Sequence, residues 1–167
     1  MLRIRPFKIS DAHLMINWIK EERVFKMWCA DKFNYPLTIE QLKAYKDECE
    51  QNELEWVLVA LDEKGIPVGH FSMRRINYEK ESVHLGFIVI DENKRGLGYG
   101  KEMVELAVKY AFELLKVKRV TLGVYDVNLT AKQCYEKVGF VTETYDEESF
   151  TYKDETWGMF NMAIERK

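Results

Sequence analysis

The chain has 167 residues, of which 47% are hydrophobic and 32% charged, with a formal net charge of −3. That length suits one domain with its own core, residues 1–167, and the composition excludes a disordered chain. The acidic balance excludes the dominant basic face of a nucleic-acid binder, and no apolar run reaches the roughly 20 residues of a membrane span.

In chain order, "LRIRPF" reads as a first strand, ended by Pro6. Ser10 is placed to cap a helix from Asp11, with Leu14, Met15, Trp18 and Ile19 on one face. The segment from Glu21 to Pro36 is aromatic-rich and fits either a helical piece or a loop. Thr38 and Gln41 resemble a capping box that opens a helix carrying Leu42 and Tyr45. "EWVLVALDEKGIPVGHFSMRRI" predicts a hairpin turning at "DEKG". "ESVHLGFIVID" predicts a strand that is apolar nearly throughout, hence buried on both faces, with Gly86 marking a bulge or a close backbone approach.

A long amphipathic helix follows, with Met103, Leu106, Ala107, Tyr110, Ala111 and Leu114 at helical spacing. "RVTLGVY" is the next strand. Asn128 then starts a short helix with Ala131, Cys134, Tyr135 and Val138 on one face, and Gly139 ends it. "FVTETYDEE" and "TWGMFNMAIER" close the chain as a hairpin. The order β-α-α-β-β-β-α-β-α-β-β has three consecutive strands without helices. It excludes a simple doubly wound sheet and predicts a mixed sheet with helices on its faces.

Three cysteines, Cys29, Cys49 and Cys134, are far apart and form no CxxC pair; His13, His70 and His84 form no HxxxH pattern. No metal is expected. The N-terminus lacks the apolar stretch of a signal peptide, so the expected location is the cytoplasm.

The densest signal is "FIVIDENKRGLGYGK". Glycines at the mouth of a helix give a ligand access to unpaired N–H groups at its positive end, an arrangement suited to phosphate. Lys94, Arg95 and Lys101 add charge there. A P-loop is excluded because Glu102, not Ser or Thr, follows Lys101. A dinucleotide fingerprint is disfavoured because the glycines run GxGxG after an antiparallel hairpin.

Arg95 to Gly98 and Gly100 form Arg-x-x-Gly-x-Gly, and "NLTAKQCYEKVGF" follows downstream. Together these resemble the GNAT family of N-acetyltransferases, and the element order extends the resemblance over nearly the whole chain. It implies an α+β fold: a mixed, largely antiparallel sheet of six to seven strands flanked by about four helices. It also implies acetyl-CoA as donor cosubstrate and direct transfer of the acetyl group to a primary amine.

By the same resemblance the amides of Gly96, Leu97, Gly98, Tyr99, Gly100 and Lys101 would hold the pyrophosphate, with Arg95 shaping the turn. The backbone of Ile88, Val89 and Ile90 would pair with the pantetheine arm, and an amide of Ile88 or Val89 would polarise the thioester carbonyl. Asn128 serves the pantetheine region or caps its helix. Lys132 meets a CoA phosphate or is solvated. Tyr135 is the candidate general acid for the leaving thiolate, against a packing role.

Many family members carry a Glu on the strand before the glycines, where this chain has His84, a candidate base or a satisfied strand histidine. Glu81 and Asp126 are weaker alternatives. Phe25, Trp28, Phe33 and Tyr35 would wall the acceptor side. Glu143, Asp146, Glu147, Glu148, Asp154 and Glu155, against Lys153 alone, would form either an acidic rim for a cationic amine or a solvated hairpin. A homodimer is compatible with the resemblance. The alternative function is a GNAT-fold module that binds acyl-CoA without turnover.

Overall fold

The computed structural model describes residues 1–167. Seven strands form one sheet: β1 (Arg3–Pro6), β2 (Trp56–Leu61), β3 (Pro67–Asn77), β4 (Ser82–Ile90), β5 (Arg119–Tyr125), β6 (Val141–Tyr152) and β7 (Glu155–Glu165). Their spatial order is β1-β2-β3-β4-β5-β7-β6. Every neighbouring pair is antiparallel except β4 and β5, which are parallel. The helices are α1 (Ala12–Met15), α2 (Glu22–Cys29), α3 (Ile39–Glu50), α4 (Tyr99–Glu113) and α5 (Leu129–Val138). None is long and apolar enough to cross a membrane.

β4 is apolar on both sides because its register shifts near Phe87, which reverses the side-chain phase of its second half. Val83 and Leu85 join Met103, Ala107, Ala111 and Tyr135 in a core under α4 and α5. Val89 joins Trp18, Phe25, Leu42, Tyr45 and Val59 in a second core under α1, α2 and α3. A smaller cluster of Tyr125, Tyr152 and Trp157 takes in Met27 of α2 and Ala30 just beyond its end. So α2 fills the segment that the sequence left between helix and loop, and it touches both halves of the sheet.

One expectation is corrected. Ser10 caps no helix. Residues Ile9–Asp11 form a 3-10 turn, α1 spans only Ala12–Met15, and Leu14 is exposed. Asp11 is the reason. It is buried, takes two hydrogen bonds of 2.8 Å from the Arg5 guanidinium, and accepts another from the Lys8 N–H. This pair joins the turn to β1 and fixes where the helix can start. Thr38, in contrast, caps α3 as expected, accepting from the Gln41 N–H at 3.2 Å.

Candidate active site

The sheet splits at its centre. β4 and β5 pair only over Ser82–His84 and Arg119–Thr121. Beyond His84 the two strands diverge, β4 to Ile90 and β5 to Tyr125. The edge of β4 facing the split therefore carries backbone groups with no strand partner. Its other edge is paired with β3, where the Asp91 N–H donates to the Val68 carbonyl at 2.8 Å. Alternation in an antiparallel ladder makes Val89 the next residue bonded to β3. The backbone groups of Ile88 and Ile90 are left facing the split.

The β4 edge runs directly into the glycine turn. Gly96 (φ 78°) and Gly98 (φ 81°) hold left-handed conformations, and Gly98 is the N-cap of α4. A Cβ at either would meet nothing within 4 Å, so the requirement is for the dihedral, not for space. None of the six N–H groups from Gly96 to Lys101 donates within the protein. They sit at the positive end of a 15-residue helix. Arg95 makes no ion pair, whereas Lys101 pairs with Glu105 at 3.0 Å.

α5 lies across this turn. The Cys134 sulfur and the Ile90 side chain each come within 3.8 Å of where a Gly100 Cβ would stand. The end of β4, the start of α4 and the middle of α5 thus meet, as the two sequence motifs require. Tyr135 is buried against Phe140, its ring centroid 6.3 Å away, and burial pushes its phenol above the ordinary range. Its hydroxyl is held in the protonated form and is able to donate a hydrogen bond. Cys134 is also pushed up by burial, which disfavours the thiolate a covalent acetyl carrier would need.

Asn128 caps α5, its side chain accepting from the Ala131 N–H at 3.4 Å, so its amide NH2 is still free to donate. Lys132 is engaged: it pairs with Glu136 and lies 4.9 Å over the Phe160 ring. His84 lies at the closed end of the split, its Nδ1 2.9 Å from the Thr121 hydroxyl. Burial, with Arg75 and Arg74 nearby, brings its pKa down to about 4. It faces a cavity of about 250 Å³ lined also by Arg75, Lys80 and Arg119. Glu81 is paired with Lys118, and Asp126 accepts from the Tyr145 hydroxyl at 2.6 Å.

On the opposite face of the sheet from α4, an aromatic wall packs onto Phe87. Trp28 stacks on Phe33 at 5.4 Å, and both approach the Phe87 ring, at 6.3 Å and 6.1 Å. Phe87 sits in a β-bulge. The β3–β4 register shifts between His70/Val89 and Ser72/Gly86. The extra residue reverses the side-chain phase of β4, so that Phe87 and Val89 face the α1–α3 side and Ile88 and Ile90 the α4–α5 side. Phe87 itself has φ 48°, a conformation that costs a non-glycine residue about 1–2 kcal/mol.

Three β3 residues that the sequence reading did not single out for function reach this bulge. The His70 Nδ1–H donates to the Phe87 carbonyl at 2.8 Å, the Ser72 hydroxyl donates to the Gly86 carbonyl at 3.2 Å, and the Arg74 guanidinium lies 4.6 Å over the Phe87 ring. A Cβ on Gly86 would press to 2.8 Å from the Arg74 side chain, which is the close approach its glycine predicts. The available signal was a polar residue at every second position of an otherwise apolar strand.

α2 is tied to the far half of the sheet. Arg23 grips Glu155 of β7 through bonds of 2.8 and 2.9 Å and lies 5.5 Å over Trp157. Glu143 is held by Arg119. Glu21, Glu22, Glu147, Glu148 and Asp154 make no ion pair, although Lys153 stands near Glu22 and Asp154.

A family model described as an acetyltransferase (GNAT) domain matches residues 1–141. The chain is 24% identical over 149 residues to a spermidine N(1)-acetyltransferase of Vibrio cholerae, covering 89% of this chain and 84% of the relative. It is 30% identical over 152 residues to a probable N-acetyltransferase of Bacillus subtilis, covering 84% and 80%. A crystal structure of a Vibrio cholerae spermidine N-acetyltransferase in complex with CoA and spermine superposes with a TM-score of 0.85. That match is at 22% identity and covers 98% of this chain and 95% of the other.

Proposed function

Since the chain belongs to the GNAT family of acetyltransferases, we propose that it acetylates a primary amine of a cationic acceptor of the polyamine class, with acetyl-CoA as donor. One observation carries the donor half: an unpaired strand edge that ends on six free amides at a helix N-terminus. Long ligands with an amide-bearing arm and a pyrophosphate match that edge and that turn in sequence.

Acetyl-CoA supplies the acetyl group as an activated thioester. The amides of Gly96 to Lys101 would take the pyrophosphate, with Lys94 and Arg95 adding charge. The backbone of Ile88 and Ile90 would pair with the pantetheine arm, whereas Val89, expected from the sequence to share in it, is turned toward β3. Of the two amides considered for the thioester carbonyl, the register supports Ile88, because Val89 is turned toward β3. A donor fixed there stabilises negative charge as it develops on that oxygen.

Tyr135 would donate to the leaving sulfur. A thiol titrates near 8.5 and an ordinary phenol near 10, and burial raises Tyr135 further. The proton therefore rests nearer the tyrosine, which stabilises the thiolate by hydrogen bonding more than by full transfer. His84 is neutral at pH 7 and able to accept, but its pKa of about 4 makes it a poor store for a proton leaving an amine near 10. It would pass that proton on through water. Asn128 has its NH2 free for the pantetheine region. Lys132 is held by Glu136 and Phe160 and contributes charge near the turn.

The acceptor assignment rests on two supports. Trp28, Phe33 and Phe87 present aromatic faces beside the bulge, and unpaired acids outnumber bases where α2 meets the β6–β7 turn. Relatives named for spermidine and spermine acetylation point the same way. A binder without turnover draws no support, because Tyr135 and the glycine turn are both in place. Thiol release from acetyl-CoA against spermidine, an aminoglycoside, free amino acids and lysine peptides tests the reading. Spermidine should give the highest kcat/KM; a neutral or anionic acceptor that surpasses it would overturn the polyamine assignment.

A further inference from the structure

The chain buries only three polar residues almost completely, and two of them are on β3: His70 and Ser72, both fully enclosed. They point to the same place. A bulge breaks the β3–β4 ladder and deprives carbonyls of their backbone donors. Here the carbonyls of Gly86 and Phe87 are met by side chains instead, Ser72 for the first and His70 for the second. Arg74, two residues further along the same face, covers the Phe87 ring and is itself anchored to Glu55 at 3.2 Å.

Phe87 holds its left-handed conformation inside this set of contacts. A strained residue persists only where its surroundings over-determine it. Its carbonyl is fixed by His70, and its ring lies between Arg74 and the Trp28, Phe33 and Tyr45 rings. The neutral His70 ring must carry its proton on Nδ1, because a carbonyl only accepts. Nε2 has no partner, so the Phe87 carbonyl is the only hydrogen-bond partner of this ring, which packs among Phe7, Trp28 and Tyr45.

We infer that His70 and Ser72 are positioning residues for catalysis: they hold the β4 bulge so that the Ile88 amide, the next in the chain, faces the split between β4 and β5. The inference rests on the reading of Ile88 given above. It also divides the labour of binding and turnover. The glycine turn retains acetyl-CoA by its pyrophosphate, so disturbing the bulge leaves affinity in place and misaligns the thioester.

Three variants test it: His70→Leu, which removes the donor; His70→Asn, whose Nδ2 stands where Nδ1 does; and Ser72→Ala, which removes one oxygen. With spermidine as acceptor, His70→Leu should lower kcat by about 10- to 100-fold, as small misplacements of reacting groups do. The KM for acetyl-CoA should stay within about twofold, and His70→Asn should recover most of the loss. Amide hydrogen exchange of residues 86–90, measured without substrates, should accelerate in His70→Leu and Ser72→Ala and not in His70→Asn. If His70→Leu does not fold, Ser72→Ala and His70→Asn carry the same comparison.

Unchanged exchange at 86–90 in folded variants would overturn the clamp itself. Faster exchange with unchanged kcat would leave the clamp standing and overturn its catalytic role, and with it the placing of the thioester at Ile88. An equal loss of kcat in His70→Leu and His70→Asn would show that ring volume, not the hydrogen bond, matters.

Discussion

Tyr135 is packed in the core and, in the proposed reaction, donates to the leaving sulfur. Its ring completes the packing under α5, and its hydroxyl is the only polar part. Tyr135→Phe keeps the ring, so stability and acetyl-CoA affinity should hold while kcat falls about 100-fold; thiol-release kinetics beside calorimetric titration would show it. An unchanged kcat would remove the hydroxyl from the reaction. Gly98 carries a different demand. Gly98→Ala should cost about 1 kcal/mol through its left-handed φ. Gly98→Asp also brings a carboxylate to the anion site and should abolish acetyl-CoA binding in the same titration.

The two buried histidines set an acid sensitivity. His70 and His84 both titrate near 4 when folded, against about 6.5 when unfolded. The unfolded chain therefore binds more protons between those values, and stability rises with pH across that window. It should be lost progressively from about pH 6.5 down to about pH 4, by on the order of 3 kcal/mol for His70 alone. Urea unfolding at pH 7 and pH 5 should show the drop, and it should shrink in His70→Asn. A stability that is flat between pH 7 and pH 5 would contradict the burial of these rings.

At the scale of elements, α2 is the part that joins two halves. Phe25 and Cys29 enter the core on the β4 side, whereas Met27, Ala30 and Arg23 meet the cluster on β5, β6 and β7. Arg23→Ala or Glu155→Ala should loosen the acceptor side alone. The KM for spermidine should rise several-fold with the acetyl-CoA constant unchanged, a split visible in initial rates; equal effects on both substrates would show that α2 supports the whole fold instead.

This is also where the sequence stopped being legible. α4, α5, the strands and the glycine turn follow from periodicity and from residues whose local conformation is special. The short α1 does not, because it depends on Asp11 reaching back to Arg5. Nor does the bulge clamp. Gly86 signalled a bulge, but the partners His70, Ser72 and Arg74 follow from cross-strand register, which no local pattern encodes. The sequence likewise placed His84 on the right strand without revealing the burial, and after it the nearby arginines, that depress its basicity.

For the molecule as a whole, the two faces of the split sheet carry different parts. The glycine turn, α4 and α5 lie on one face, and the aromatic wall and α2 on the other; the bulge of β4 is where they meet. In the proposed reaction two substrates would be bound together, each from its own side, with no acetylated protein group. Cys134 has its thiol raised by burial, and Cys29 and Cys49 are held near 11 and 12. Initial rates measured while acetyl-CoA and spermidine are varied together test this most directly. Double-reciprocal lines that intersect are the predicted result, from a complex holding both substrates. Parallel lines, with the protein acetylated by acetyl-CoA alone, would contradict it.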